Sequence, residues 1–590
     1  MTDAPPLAPP TDAAVVDPAP TAPRRSDALA VFLVAFALLA AFAGVRELWD
    51  ADEGRYASVA LDMRRSGDYV TPRENGLRFV DKPPLVYWMA NGAYAVLGAT
   101  PFAARLPCIV SGAGLSLAAF LLAAAWSGRR RVAWCAALVL ATSVGGMGFS
   151  RTVTMDMPLA AAAAFSMYAG WRALGSDAAR WRAMLGLFVG LGLLAKGPLG
   201  AVLPALVALS WGVVGAPWRR IFDALFSPIA WIVALAVAAP WYALMERANP
   251  GYLQHFLVYE HFGRFAEKGN REFAPFWLYV PTLAAFLLPW LPLLPGRGPR
   301  LGLASFPEVV EGSAPAARPR SNDRFAWAWV VVLLVFYSAG KNRLFTYCLP
   351  AFLPLALLTG ARLSSLLGAE RTGDGARVRL LGFGLAFLGL LALGCAIVLM
   401  TGLPFSEGWK GFKDDRHVSI GLPAAIGSVP LVLMPLWLAL VRAPRLRAGA
   451  LFLAAAAFFW GVDLGCARAN AVRSPTALAQ TLVAVAGRGD AIVCLDLFPQ
   501  GLRFNADVFV RIAGKQGEIV EPWASKDGEG VLMSKDALDL LWASSTRVVL
   551  VVREDKAKPY VDGGGRVLGS RLSGAQRSDL MVLENHPRAP

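Results

Sequence analysis

Of the chain's 590 residues, 56% are hydrophobic and only 17% charged, and stretches such as Ala28–Val45, Leu380–Met400 and Gly421–Val441 carry no charge at all. About 20 apolar residues cross a bilayer core, so this pattern excludes a soluble multidomain protein and describes a polytopic α-helical membrane protein. The net charge of +15 would suggest nucleic acid in a soluble chain, but loop arginines that orient membrane helices account for it equally well.

In chain order, residues 1–27 are rich in Pro, Ala and Asp and read as a disordered cytoplasmic tail, with no A-x-A-type cleavage site after the first apolar run. Thirteen spans follow, beginning near residues 28, 101, 132, 157, 183, 198, 226, 275, 325, 345, 380, 421 and 448. The transmembrane region thus covers residues 28–466, and the turn Lys196-Gly197-Pro198 divides two of its spans. With the N-terminus inside, the arginine-rich segments, such as Arg129-Arg130-Arg131 and Arg219-Arg220, fall on the cytoplasmic side. All eleven lysines fall on the other side. That charge asymmetry assigns the excess to topology and removes the call for nucleic acid.

Two outer loops are long, residues 46–100 and 246–274. The first contains an amphipathic stretch, Asp52–Arg65, expected to lie on the membrane surface. Residues 467–590 change character: a helical stretch (Thr476–Val485), the strand-like runs AIVCLDL, VFVRIA and RVVLVV, then Gly-rich turns. They describe a small α/β domain outside the membrane. The six cysteines (Cys108, Cys135, Cys348, Cys395, Cys466, Cys494) show no CxxC spacing and no disulfide framework.

The residues able to do chemistry cluster in the outer loops. Asp50 reads as a solvated carboxylate, whereas Asp52 and Glu53 are followed at once by Arg55 and Tyr56 on the amphipathic stretch. Such a helix can hold a carboxylate where a lipid-linked substrate would sit. Next, Asp81-Lys82-Pro83-Pro84 fixes the backbone with two prolines and offers Lys82 as a compact cation for a phosphate; an interfacial anchor beside Trp88 is the simpler alternative. Asp156, in Thr154-Met155-Asp156-Met157-Pro158, is placed either to cap its span or to act on substrate. His261, beside Glu260, is a candidate metal ligand on a weak His-Glu signal. Lys341, Arg343 and Tyr347 would add phosphate donors if the loops converge.

In order along the chain, DEGRYA near 52, DKPPLVYW near 81, TMDMP near 154, YEHFGRF and PFW near 259–277, and GKNRLFTYCLPAFLPL near 340 resemble the C-type (GT-C) integral-membrane glycosyltransferases. Among these, the chain is most similar to the bacterial family that transfers 4-amino-4-deoxy-L-arabinose to lipid A, related to protein O-mannosyltransferases. The resemblance implies a donor sugar on undecaprenyl phosphate, lipid A as acceptor, and an active site on the periplasmic face of the inner membrane. The C-terminal α/β domain would then be periplasmic. By motif, Asp52 takes the place of the family's essential first-loop aspartate and Asp156 that of a second important acid. Arg55, Tyr56, Lys82, Arg264, Lys341 and Tyr347 become candidates to grip the polyprenyl phosphate. Family members carry Glu before Lys-Pro-Pro, with a divalent metal near it. Here Asp81 stands there, and Arg-Glu-Phe-Ala replaces the family's histidine before Pro-Phe-Trp, so a metal on Asp81 and His261 is an expectation against two departures. Another sugar or acceptor (a glycan chain or a protein) is the nearest alternative function. A lipid-sugar transporter is the more distant one.

Overall fold

The computed structural model describes residues 22–586, apart from 177, 264–274, 295–322, 369–374, 402–415, 442, 488, 515–529 and 575–576. Each of the thirteen expected span starts falls in a helix or within two residues of one. The first eleven helices are α1 (Arg25–Ala40), α2 (Asp52–Ser66), α3 (Leu85–Leu97), α4 (Pro101–Ser127), α5 (Arg130–Ala141), α6 (Val144–Ser150), α7 (Asp156–Leu174), α8 (Ala179–Lys196), α9 (Leu199–Val213), α10 (Trp218–Leu225) and α11 (Pro228–Ala248). Among the described residues, six helices are long and apolar enough to cross a membrane unaided, for example Pro101–Ser127 and Leu446–Arg468. The pair α5 and α6, bent by 56°, makes a seventh if counted as one span. Others fall short on length or charge: α9 has 15 residues, and α8 carries two arginines and a lysine.

The bend between α5 and α6 has a local cause. Ser143 caps α6 by accepting from the Gly146 amide, and that restarts the helix in a new direction. The exposed backbone there is paired elsewhere, since the Val144 amide donates to the Leu288 carbonyl at 2.9 Å. Gly197, at φ 68°, closes the turn between α8 and α9. The two helices then run together tightly enough that a Cβ on Gly192 would lie 2.8 Å from the Gly200 Cα. Interlocked aromatic rings fill the interior behind this hairpin, with Trp211 against Trp126, Trp171 and Trp329 at centroid distances of 5.6–6.2 Å.

Between α1 and α4 lie α2, the hairpin β1 (Arg73–Glu74) and β2 (Leu77–Arg78), and α3. Asn75 and Gly76 form the hairpin turn with φ of 52° and 85°, as an Asn-Gly pair favours. The expected surface position of α2 is only partly right. Residues Glu53–Arg55 and Ala57–Met63 are all buried, because α3 and α4 cover one side and a segment from the C-terminal domain covers the other.

That domain contains six strands: β3 (Ala491–Leu495), β4 (Arg511–Ala513), β5 (Leu532–Met533), β6 (Val548–Arg553), β7 (Arg566–Gly574) and β8 (Arg577–Glu584). Their order is β5-β4-β3-β6-β8-β7; the first four are parallel, and β8 and β7 join antiparallel. The helix expected at Thr476–Val485 is present with those bounds. β3, β4 and β6 occupy the three expected apolar runs; β3 and β6 are almost wholly buried, as central strands are, whereas β4 exposes Arg511. The Gly-rich end is not only turns. It forms the β7–β8 hairpin, whose ladder slips three times where Gly569, Leu572 and Gly574 lie. Those irregularities broke the alternation that marks a strand.

Candidate active site

The first outer loop places two neighbouring carboxylates differently. The Glu53 carboxylate lies against Arg46 and Arg105: Arg105 Nε donates at 2.9 Å, its Nη2 at 3.0 Å, and Arg46 Nη1 at 2.5 Å. Amides of Trp49 and Val153 donate to it as well, at 3.2 and 3.3 Å. Burial alone would raise the pKa of such a group; Arg105 and Arg46 outweigh burial and hold Glu53 down at about 2. Arg105 uses its remaining hydrogens on the carbonyls of Ala43, Arg46 and Glu47, at 2.6–2.8 Å. This clamp ties the start of α2 to α4.

Asp52, one residue earlier, is open, with 58% of its side chain exposed. Its Oδ1 lies 4.0 Å from Arg55 Nη1. Arg55 is buried, with Nε 3.3 Å from Glu74 Oε1 and its guanidinium 5.8 Å from the Phe79 ring. Tyr56 stands between Phe79 and Tyr87, at 6.5 and 6.4 Å. Burial, and then the Asp52 charge, push its hydroxyl well above the ordinary tyrosine range, so it stays protonated and able to donate. Asp50 is not the solvated carboxylate expected. It is buried, and its Oδ1 accepts from the Gly501 amide at 2.8 Å, which brings the C-terminal domain to the foot of α2.

Asp156 begins α7; Met155 occupies the capping position. The carboxylate pairs with Lys196 at the end of α8. Lys196 Nζ also lies 4.4 Å from the centre of the Tyr347 ring, an attraction between cation and ring face. The charge of Asp52 reaches both Lys196 and Tyr56, and that of Asp156 reaches Tyr56. Asp52, Tyr56, Asp156, Lys196 and Tyr347 therefore belong to one electrostatic neighbourhood. The Lys82 turn adjoins it through the charge of Asp81, which reaches Tyr56; Lys82 Nζ donates to the Asp81 carbonyl at 3.3 Å, and Pro84 occupies the capping position of α3.

His261 sits beside this group with Nδ1 2.7 Å from the Phe256 carbonyl. Its Nε2 faces the Lys196–Gly197 backbone, 2.9 Å from where a Cβ on Gly197 would stand. Burial lowers its pKa, opposed by those backbone contacts; the charges of Lys82 and Lys196 lower it further. A ring committed to backbone on both sides is a poor metal ligand. Among the described residues, no three His, Cys, Asp or Glu side chains group as a metal site would need. The described residues therefore offer no ligand set for the divalent metal that the resemblance implied.

Two expected phosphate ligands are not drawn in. Lys341 is exposed, and Arg343 folds back on the Ser338 carbonyl at 2.9 and 3.2 Å. Arg264 lies outside the described residues. In return, the structure adds Lys196, Arg46 and Arg105. Lys196 gives only the signal of a lysine ending a largely apolar span, which calls for an anionic partner without naming it. Nothing in the spacing singles out Arg46 or Arg105.

Residues 81–243 match the family described as dolichyl-phosphate-mannose-protein mannosyltransferase. An undecaprenyl phosphate-α-4-amino-4-deoxy-L-arabinose arabinosyl transferase of Pseudomonas fluorescens is 34% identical over 67% of this chain and 67% of its own length. One from Pseudomonas savastanoi pv. phaseolicola is 36% identical over 69% and 76%. Further relatives of that description match over 57% of their length. The crystal structure of ArnT from Cupriavidus metallidurans bound to undecaprenyl phosphate superposes with a TM-score of 0.79. It covers 96% of this chain and all of that one at 20% identity, which makes the fold the same.

Proposed function

Because the chain belongs to the family of undecaprenyl phosphate-aminoarabinose arabinosyl transferases, we propose that it moves 4-amino-4-deoxy-L-arabinose from undecaprenyl phosphate to lipid A, at the site around Asp52. It is a multi-pass membrane glycosyltransferase; the inner membrane, with that site and the C-terminal domain on the periplasmic side, is the setting the family suggests. The observation that carries the reading is the electrostatic neighbourhood of Asp52, Tyr56, Lys196–Asp156 and Tyr347, with Asp52, Asp156 and Lys196 at helix ends. A transporter would need ionisable groups in mid-span. Here Asp156 and Lys196 stand at the first and last residues of their helices.

The chemistry asks for two things. A phosphate-linked sugar leaves as a polyprenyl phosphate when cations meet its charge. Lys82 is the cation placed to bind it, and Tyr56 supplies a neutral donor. The acceptor oxygen attacks the anomeric carbon from the face opposite the leaving phosphate, so the new bond is inverted. If that oxygen belongs to a hydroxyl, Asp52 takes its proton, a role worth about 10²–10⁴ in rate. If it belongs to a lipid A phosphate, no proton leaves, and Asp52 orients the acceptor or the sugar's amino group. Asp156 holds Lys196 charged against the Tyr347 ring. Mass spectrometry of lipid A from cells with and without the protein tests the whole reading. A difference of one aminopentose is expected; identical lipid A alongside a modified glycan or protein would move the acceptor elsewhere.

A further inference from the structure

The C-terminal domain meets the membrane region through the crossover between β3 and β4, residues 496–510, and the surface it meets is α2. Every part of that contact is specific. Arg503 is buried, and its guanidinium forks onto Asp62 of α2, with Nη2 2.6 Å and Nε 3.1 Å from Oδ1. Its planar group also lies 3.7 Å from the centre of the Phe509 ring, which fixes the fork from behind. The backbone of the same crossover accepts from α2: Ser58 Oγ donates to the Gln500 carbonyl and Arg65 Nη1 to the Arg503 carbonyl, both at 2.9 Å. At the foot of the helix, Gly54 comes so near that a Cβ on it would sit 2.8 Å from the Gly501 Cα, so only glycine allows the approach. Phe504 packs into the apolar cluster that α2, α3 and α4 share. Asn75 in the loop's hairpin exchanges hydrogen bonds with Val510, at 2.8 and 3.1 Å.

We propose that Arg503 is a positioning residue for Asp52: through its fork on Asp62, the C-terminal domain holds α2 at the tilt that keeps Asp52 beside Tyr56 and the Asp156–Lys196 pair. The inference rests on the role given to Asp52 above. The clamp of Glu53 with Arg46 and Arg105 holds the start of α2, and nothing in it reaches Asp62, nine residues beyond Glu53. Along the rest of this 15-residue helix, α3 and α4 supply apolar packing, and Ser58 and Arg65 bond the same crossover that Arg503 anchors. Arg503 forms the buried ion pair that fixes this crossover on α2, and a small change in the helix's tilt moves a catalytic group out of reach.

The test uses the full-length protein in lipid nanodiscs with a polyprenyl-phosphate aminoarabinose donor, and compares wild type, Arg503→Lys, Arg503→Ala and Asp62→Asn. Two readouts are taken: kcat against donor KM, and hydrogen exchange of α2 amides relative to those of α4. Arg503→Ala and Asp62→Asn are each expected to lower kcat on the order of 10-fold to 100-fold, the cost of a small misplacement. Donor KM changes less, since Lys82 lies in a turn this fork does not touch. Exchange should rise in α2 while α4 stays protected, and Arg503→Lys should recover part of the loss. Faster α2 exchange with unchanged kcat overturns the positioning role, and so does unchanged exchange in α2. Asp62→Asn, which keeps the crossover sequence intact, serves if Arg503→Ala does not fold. Should Asp52→Asn keep full turnover while Arg503→Ala still loosens α2 and slows transfer, the role of Asp52 fails and the domain's grip on α2 stands.

Discussion

Asp52 and Glu53 are adjacent in the chain and face two different regions of the molecule. One residue turns an α-helix by about 100°. On α2 that rotation separates a carboxylate whose side chain is 58% exposed from one that is 4% exposed in an ionic clamp. In the clamp, two guanidinium groups meet one carboxylate and fix the backbone. Asp52 keeps an open face, and its charge reaches Tyr56 and Lys196. The contrast teaches that a run of acids at a membrane surface can divide its work, one to build the site and one to use it.

The largest effect should separate the two carboxylates. Asp52→Asn is expected to lower transfer by about 10²–10⁴-fold, with expression and melting temperature as in the wild type. Full turnover by this variant would erase the distinction. Glu53→Gln should do the reverse. Removing one partner of a buried ion pair leaves Arg105 uncompensated and costs about 3–5 kcal/mol of stability, read as a lower melting temperature. The same clamp makes an acid prediction. Glu53 is held at about 2 in the fold against 4.5 in the unfolded chain. The stability it lends is whole above pH 4.5 and is lost as pH falls through that value toward 2. Glu53→Gln should therefore flatten the acid limb of the melting-temperature profile; an unchanged limb would mean the clamp contributes nothing there.

A smaller effect is expected at the Asp156–Lys196 pair, where both kinds of role meet. Lys196 pairs with Asp156 and lies on Tyr347. Lys196→Met and Asp156→Asn should each slow transfer, and the double variant should lose less than the two losses combined. A coupling of about 0.5–3 kcal/mol is the range for residues in direct contact. Strict additivity would mean that the two act separately. Lys82→Ala should raise the donor KM about tenfold, the equivalent of one hydrogen bond to a charged group, and leave kcat nearly unchanged. An unchanged KM would make Lys82 the interfacial anchor that its neighbour Trp88 suggests.

The helical plan was legible because a membrane span writes itself in hydropathy: all thirteen starts lie in or beside helices. So were three strands of the C-terminal sheet, β3, β4 and β6, where buried strands appear as mostly apolar runs. Its last hairpin was not, because β7 carries glycines and register shifts that break the alternation. In the site, Asp52, Tyr56, Asp156 and Tyr347 were readable as polar residues at span ends, and the structure gathers them. Lys196 looked like a turn and Asp50 like a solvated acid, since their partners, Asp156 and the Gly501 amide, lie 40 and 451 residues away. Neither hydropathy nor spacing reports contacts of that range. For the same reason Arg503, in a separate domain, gave no hint that it bears on α2.

The smallest effects are expected where the sequence motif and the geometry part. Lys341 shares a motif with Tyr347 but is exposed, and the adjacent Arg343 turns back to the Ser338 carbonyl. An exposed lysine contributes a screened charge, worth no more than about 1 kcal/mol even when paired, so Lys341→Ala should change donor KM by less than about fivefold. That effect should fade further as salt rises from 50 to 500 mM, because the Debye length shortens and leaves only near contacts. The Lys82→Ala deficit should persist under the same salt, since Lys82 is half-buried. If Lys341→Ala instead matches Lys82→Ala and resists salt, the loop holding Lys341 closes over the donor during turnover. The open side of the site would then be larger than the region around Asp52.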